Sequence, residues 1–266
     1  MTGDSGLEFT RTGQVARITI NRPARGNALT TAMRPEIVRM WAEVRDNPAI
    51  RAVIVTGAGD RHFCTGVDVG DVAATGRATS GDGPARREIV WSPRHHDVWK
   101  PVICAVNGTV AGGGLHFVVD ADIVVASRSA VFLDTHVSVG MVGAVENIGL
   151  IARVGLGEAL RMTLCGRHHR LTAERAHTLG LVDELVAPGE QLAVAEEIAG
   201  QICQNSPAAV MRSKQLMWES LELPREEAIE RGWASARAHW QHPDFVEGPR
   251  AFAERRDPAW AAPVLP

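Results

Sequence analysis

Three consecutive glycines, Gly112, Gly113 and Gly114, close the stretch AVNGTVAGGGLH at residues 105–116, after an apolar run and before a segment of helical spacing. A strand that enters a helix through bare glycines leaves the first amides of that helix unshielded. Those N–H groups have no intrahelical acceptor, and the helix dipole favours negative charge beside them. The turn must therefore face either a closely packed neighbour or an anionic oxygen. Two phosphate loops are excluded: no lysine follows as in G-x-x-x-x-G-K-[ST], and the G-x-G-x-x-G spacing with a later acid is not met. Taken alone, the triplet also reads as close packing of a helix on a sheet. A second segment, HFCTGVDVGD at 62–71, follows another β-branched run and sets Gly66 and Val67 in a tight turn that can aim a backbone N–H. Two such turns, each after a strand, can supply two converging amides.

The rest of the pattern is α/β. Residues 14–20, 51–56, 101–106, 123–126 and 131–133 read as strands, and 30–45 reads as a helix behind a threonine cap. Helices alternating with strands in this way predict parallel pairing. Beyond Ser206 the periodicity is purely helical, over 207–219, 224–240 and 244–255, which divides the chain into a core at 1–205 and a helical region at 206–266. Residues 70–97, with Gly76, Gly81, Gly83, Pro84 and Pro93, read as a long mobile insertion that is either a functional lid or disordered. Trp91 and Trp99 would give such a lid bulky walls.

A net charge of -3 provides no broad cationic surface for nucleic acid. Lys100 and Lys214 are the only lysines, so anion contacts fall mainly to arginine, and the absence of tyrosine removes any phenolic acid. Histidine and carboxylate remain. Cys64, Cys104, Cys165 and Cys203 form no C-x-x-C pair, which predicts reduced thiols and a cytoplasmic location. The apolar stretch at 117–126 is broken by Asp120 and Asp122, so no membrane span is expected. His95 with His96, and His168 with His169, lack the companions of a metal site, and none is expected.

FCTGVD at 63–68 resembles the F-x-x-G-[AV]-D element of the crotonase superfamily of enoyl-CoA hydratases and isomerases, and AVNGTVAGGGLH resembles its second element. Further matches are NRPARGNAL at 21–29, ADIVVAS at 121–127, LTAERAHTLGLVDELV at 171–186 and EGPRAFAERRDPAW at 247–260. The resemblance implies a spiral of ββα turns with a C-terminal helical trimerisation region, and a homotrimer or dimer of trimers. It implies an acyl-CoA thioester as substrate, with no cofactor beyond the coenzyme A that the substrate carries. It assigns the amides of Val67 and Gly113 to the thioester oxygen, where enolate charge develops. The surrounding Ala28, Cys64, Gly66, Asp68 and Gly112 would contact substrate. Arg25 would bind CoA, as would Arg255 from a neighbouring subunit, with Phe252 covering adenine.

One departure from the family pattern is double. The positions of both hydratase glutamates hold His116 and His136. A histidine pair can act as acid and base near neutral pH, or the two rings can simply be packed in an emptied pocket. Glu146, in GMVGAVENIG, falls near a helix start where related members place a catalytic acid, and a helix cap is the other reading. Asp134 would share a face with His136 and could orient it. The expected activity is therefore enolate chemistry of the hydratase/isomerase type on acyl-CoA. The alternatives are a non-catalytic acyl-CoA-binding protein and a thioester hydrolase or decarboxylase. Hydration of crotonyl-CoA is expected to be weak or absent, because adjacent imidazoles of one pKa resist taking opposite protonation states.

Overall fold

The computed structural model describes residues 6–77 and 81–262. Six strands form the larger sheet: β1 (Leu7–Thr12), β2 (Val15–Ile20), β3 (Ala52–Gly57), β5 (Val102–Val106), β7 (Ile123–Ser127) and β10 (Glu184–Val186), hydrogen-bonded in that order. All neighbours are parallel except the β1–β2 hairpin. A smaller sheet has the order β4 (His62–Cys64), β6 (Thr109–Ala111), β8 (Val131–Leu133) and β9 (Leu171–Thr172). The helices are α1 (Arg34–Asp46), α2 (Val69–Thr75), α3 (Ala85–Glu88), α4 (Leu115–Val119), α5 (Val145–Cys165), α6 (Ala173–Leu179), α7 (Gln191–Cys203), α8 (Pro207–Ser220), α9 (Arg225–His239) and α10 (Pro243–Glu254).

Strand β3 reads AVIVTG and is buried along its whole length, as a parallel strand covered on both faces should be. Alternate residues divide between the two faces. Val53 and Val55 join the main core with Ile37, Trp41 and Val44 of α1 and with Phe63 and Phe132 of the small sheet. Ala52 and Ile54 face the other way, against Ala195 and Ala199 of α7.

The small sheet positions the site. Strands β4, β6 and β8 are parallel neighbours, His62 beside Thr109, Val110 beside Phe132, and Ala111 beside Leu133. Their carboxyl ends therefore emerge together and deliver three loops to one place: Gly66 and Val67, the glycine triplet, and Asp134 to His136. This is the usual location of a ligand crevice in parallel sheets.

The expected strands all form, within a residue or two. The short strands β1, β4, β6, β9 and β10 were not separately expected. Residues 70–97 are not featureless, because they carry α2, α3 and a helical turn at Pro93–His96, while Val90 and Trp91 are buried in the main core. The His95 and His96 rings hold that turn through the carbonyls of Ile89 and Val90, at 2.9 and 3.0 Å. Residues 78–80 of the expected insertion lie outside the described residues. Both lysines prove to be internal: Lys100 donates to the Asn47 carbonyl at 2.6 Å, and Lys214 of α8 pairs with Asp122 at 2.7 Å. Trp218 donates to the other Asp122 oxygen, which ties α8 to the strand layer. Among the described residues no helix is long and apolar enough to cross a membrane.

Candidate active site

A cavity of about 420 Å3 lies where the three loops meet, lined by Gly66, Val67, Gly112, Gly113, His116, Thr135, His136 and Glu146. Gly114 packs so tightly on the Cys64 carbonyl that a Cβ could not be accommodated. Gly113 has a different reason to be bare: a Cβ there would stand 3.7 Å from the Val67 nitrogen, in the space between the two amides. The Val67 residue bridges Leu29 through the bonds Leu29 N–H to Gly66 carbonyl and Asp68 N–H to Leu29 carbonyl, both 2.8 Å. Those bonds use its neighbours and turn the Val67 N–H away from the bridge. The Gly113 amide belongs to a first helical turn, where no intrahelical acceptor exists.

Beside these amides stands a chain of charged groups. Glu146 is in the first turn of α5, and its carboxylate is taken up by two imidazoles, His136 Nε2 at 3.0 Å and His116 Nε2 at 3.3 Å. The opposite nitrogen of His136 lies 2.6 Å from Asp134, and the His136 backbone N–H donates to the same oxygen at 3.0 Å. That contact arises because the chain turns sharply after Leu133, rather than from the extended run expected from the sequence. Asp134 is fully buried, and its second oxygen accepts from Asn147 Nδ2 at 2.6 Å.

The two histidines are not electrostatic equals. Burial opposes charge on His136, but hydrogen bonds with Asp134 and Glu146 outweigh it and raise its pKa to about 10. Burial dominates at His116 and holds it below the usual histidine value despite the nearby Glu146. Burial also opposes charge on Glu146, yet the His136 hydrogen bond and both imidazoles keep its pKa below the ordinary carboxylate value. Near neutrality the resting arrangement is thus Glu146 carboxylate, His136 imidazolium and neutral His116. The premise of two imidazoles sharing one pKa does not hold, because their partners differ. A pair of groups driven to opposite protonation states is what acid–base chemistry needs.

The remaining expected residues lie outside the cavity lining in this chain. The Asp68 carboxylate is occupied by Arg22 at 3.2 Å and by the Gly70 amide it caps at 3.1 Å. Cys64 is buried, which pushes its thiol up to about 12, and Ala28 is buried next in sequence to Leu29, the bridge partner of Val67. Arg25 and Arg255 are exposed, and Phe252 is 87% exposed. Trp91 lines the cavity, but Trp99 lines a separate cleft with Arg86 and Asp120, so only one of the two expected walls is present. Arg34 and Glu88, which the sequence reading passed over, also line the cavity. Arg34 could have been found from its spacing to Ile37 and Trp41, which places it on the buried face of α1.

The profile of the enoyl-CoA hydratase/isomerase family matches residues 10–263. Carnitinyl-CoA dehydratase of Escherichia coli K12 is 34% identical over 262 residues, covering 96% of this chain and 97% of its own. Among solved structures, an enoyl-CoA hydratase/isomerase from Mycobacterium paratuberculosis superimposes with a TM-score of 0.87 at 35% identity, over 97% of this chain and 98% of that one. An enoyl-CoA hydratase from Mycobacterium tuberculosis H37Rv gives 0.86 at 29% identity, over 97% and 100%. The chain belongs to the enoyl-CoA hydratase/isomerase family and has the crotonase fold.

Proposed function

We propose that this member of the enoyl-CoA hydratase/isomerase family interconverts 3-hydroxyacyl- and 2-enoyl-CoA thioesters, with Glu146 and His136 as the acid–base pair. The observation that carries the reading is the Asp134–His136–Glu146 chain beside the Val67 and Gly113 amides. In the dehydration direction, Glu146 takes the Cα proton, and the electron pair of that bond becomes an enolate whose oxygen accepts from the two amides. Each pre-aimed donor is worth about 3 kcal/mol to such a charge. The enolate collapses to the double bond and expels hydroxide from C3, which leaves as water after taking a proton from His136. Glu146 is then protonated and His136 neutral. Transfer of that proton across their 3.0 Å contact restores both. The dehydratase activity in the name of the Escherichia coli relative is of this reaction class.

Assembly completes the proposal. Leu156, Leu160 and Leu164 form an exposed row on α5, and Phe252 stands free on α10, apolar surfaces suited to a homotrimer or dimer of trimers. In that assembly Phe252 and Arg255 would serve a neighbour's CoA, while Arg25 serves its own. Arg25→Ala and Arg255→Ala are each expected to weaken CoA-thioester binding about five- to tenfold by removing a phosphate contact, as read by calorimetry. Unchanged affinity in both would place CoA elsewhere.

The reaction is tested by incubating the protein with enoyl-, 3-hydroxyacyl- and malonyl-type CoA thioesters and identifying products by mass spectrometry. Interconversion of enoyl and 3-hydroxyacyl species is expected. Free CoA or a decarboxylated product would favour the hydrolase or decarboxylase reading, and binding without any product the non-catalytic one. The pH profile follows from the pair. The base form of Glu146 exists above its depressed pKa and the acid form of His136 below about 10, so kcat should be flat through neutrality and fall as pH rises through about 10. In Asp134→Asn the support for the imidazolium is lost and burial prevails. The alkaline limb should then move down by at least about one pH unit. An unmoved limb would separate it from His136.

A further inference from the structure

The acyl cavity contains a second charged feature that the chemistry above does not use. Arg34, at the start of α1, is 8% exposed and lines the cavity together with the apolar Val69, Ile89 and Trp91. Its one protein acceptor among the described residues is Glu88, reached by a single terminal nitrogen at 3.4 Å. This is a long, one-pronged contact for a group with five donors in a planar fork. No other acceptor for the remaining guanidinium nitrogens stands among the described residues, and the residue is part of the cavity lining. The other two buried cations are held at shorter range: Lys100 donates to the Asn47 carbonyl at 2.6 Å, and Lys214 donates to the Lys100 carbonyl at 2.8 Å and pairs with Asp122 at 2.7 Å. A buried cation with unspent donors is costly unless something completes its shell.

We propose that the acyl group of the substrate ends in a carboxylate, which binds the remaining donors of the Arg34 guanidinium, so that the enzyme acts on the mono-CoA thioesters of dicarboxylic acids. Glu88 holds Arg34 in place between turnovers and competes with the incoming carboxylate. This rests on the acyl-CoA reading of the same cavity. It specifies the far end of the acyl chain, where the reading specifies only the thioester end.

The test is calorimetric binding of saturated thioesters, which cannot turn over by this chemistry: glutaryl-CoA against pentanoyl-CoA, and adipoyl-CoA against hexanoyl-CoA. The wild-type protein should bind at least one dicarboxylic member about tenfold or more tightly than its length-matched partner, the size of a charge-assisted contact. Arg34→Met should erase that ratio and leave pentanoyl- and hexanoyl-CoA within about twofold of wild type. Glu88→Gln, which removes the competitor and keeps the side chain's shape, should raise the ratio. Equal wild-type binding of acidic and apolar thioesters would overturn the proposal while leaving the acyl-CoA reading intact. Arg34→Met weakening both kinds equally would make Arg34 a wall residue. Binding of neither kind would overturn the acyl-CoA reading, and this proposal with it.

Discussion

Glu146→Gln is expected to lower kcat for enoyl-CoA hydration by about 10^3-fold, within the range general acid–base groups contribute, with thioester affinity changed by less than about threefold. The substitution keeps the shape that sits between His136 and His116 and removes the capacity to hold a proton, together with one of the two carboxylates that support the His136 imidazolium. His116→Ala should cost far less, because the buried, neutral His116 stands 3.3 Å from Glu146 but exchanges no proton in the proposed cycle. Steady-state kinetics of the two variants discriminate sharply. Loss of turnover in both His116→Ala and His136→Ala, with Glu146→Gln still active, would return the chemistry to an imidazole pair.

Gly66→Ala should be nearly as damaging, by a different route. Gly66 has φ of +89°, which a side chain resists, and an added Cβ would stand 2.9 Å from both the Ala111 carbonyl and the Gly113 nitrogen. The glycine is therefore the spacer between the two turns proposed to hold the enolate oxygen, and filling it must displace the Gly113 amide. A fall in kcat of about 10^2- to 10^3-fold is expected, the value of one misplaced oxyanion donor. Strain at the positive φ adds a stability loss of about 1–3 kcal/mol, read by denaturant unfolding. Wild-type kcat in this variant would mean that the two amides do not act together.

The runs at 52–55 and 102–106 were legible because they are apolar and buried along their whole length. The three-residue strands β4 and β6 were not read, since three residues show no period and their identity comes from pairing with each other and with β8. The glycine turns announced backbone donors. The letters did not announce that Glu146 lies between His116 and His136, a contact made across separations of 30 and 10 residues by the entry angle of α5. Nor could they separate the two histidines, whose unequal pKa values come from burial at one ring and from two carboxylates at the other. Asn147 was missed for the same reason. It is an ordinary helical residue until folding places its amide against Asp134 and the Thr163 hydroxyl.

The central claim is that Glu146 moves the Cα proton of a thioester whose enolate is held by the Val67 and Gly113 amides. It is tested most directly by running the hydration of an enoyl-CoA in D2O and locating deuterium in the product by mass spectrometry, with wild type and Glu146→Gln side by side. The account predicts 3-hydroxyacyl-CoA carrying one deuterium at Cα with wild type, and neither product nor label with Glu146→Gln. Labelled product formed at equal rates by both proteins would contradict it.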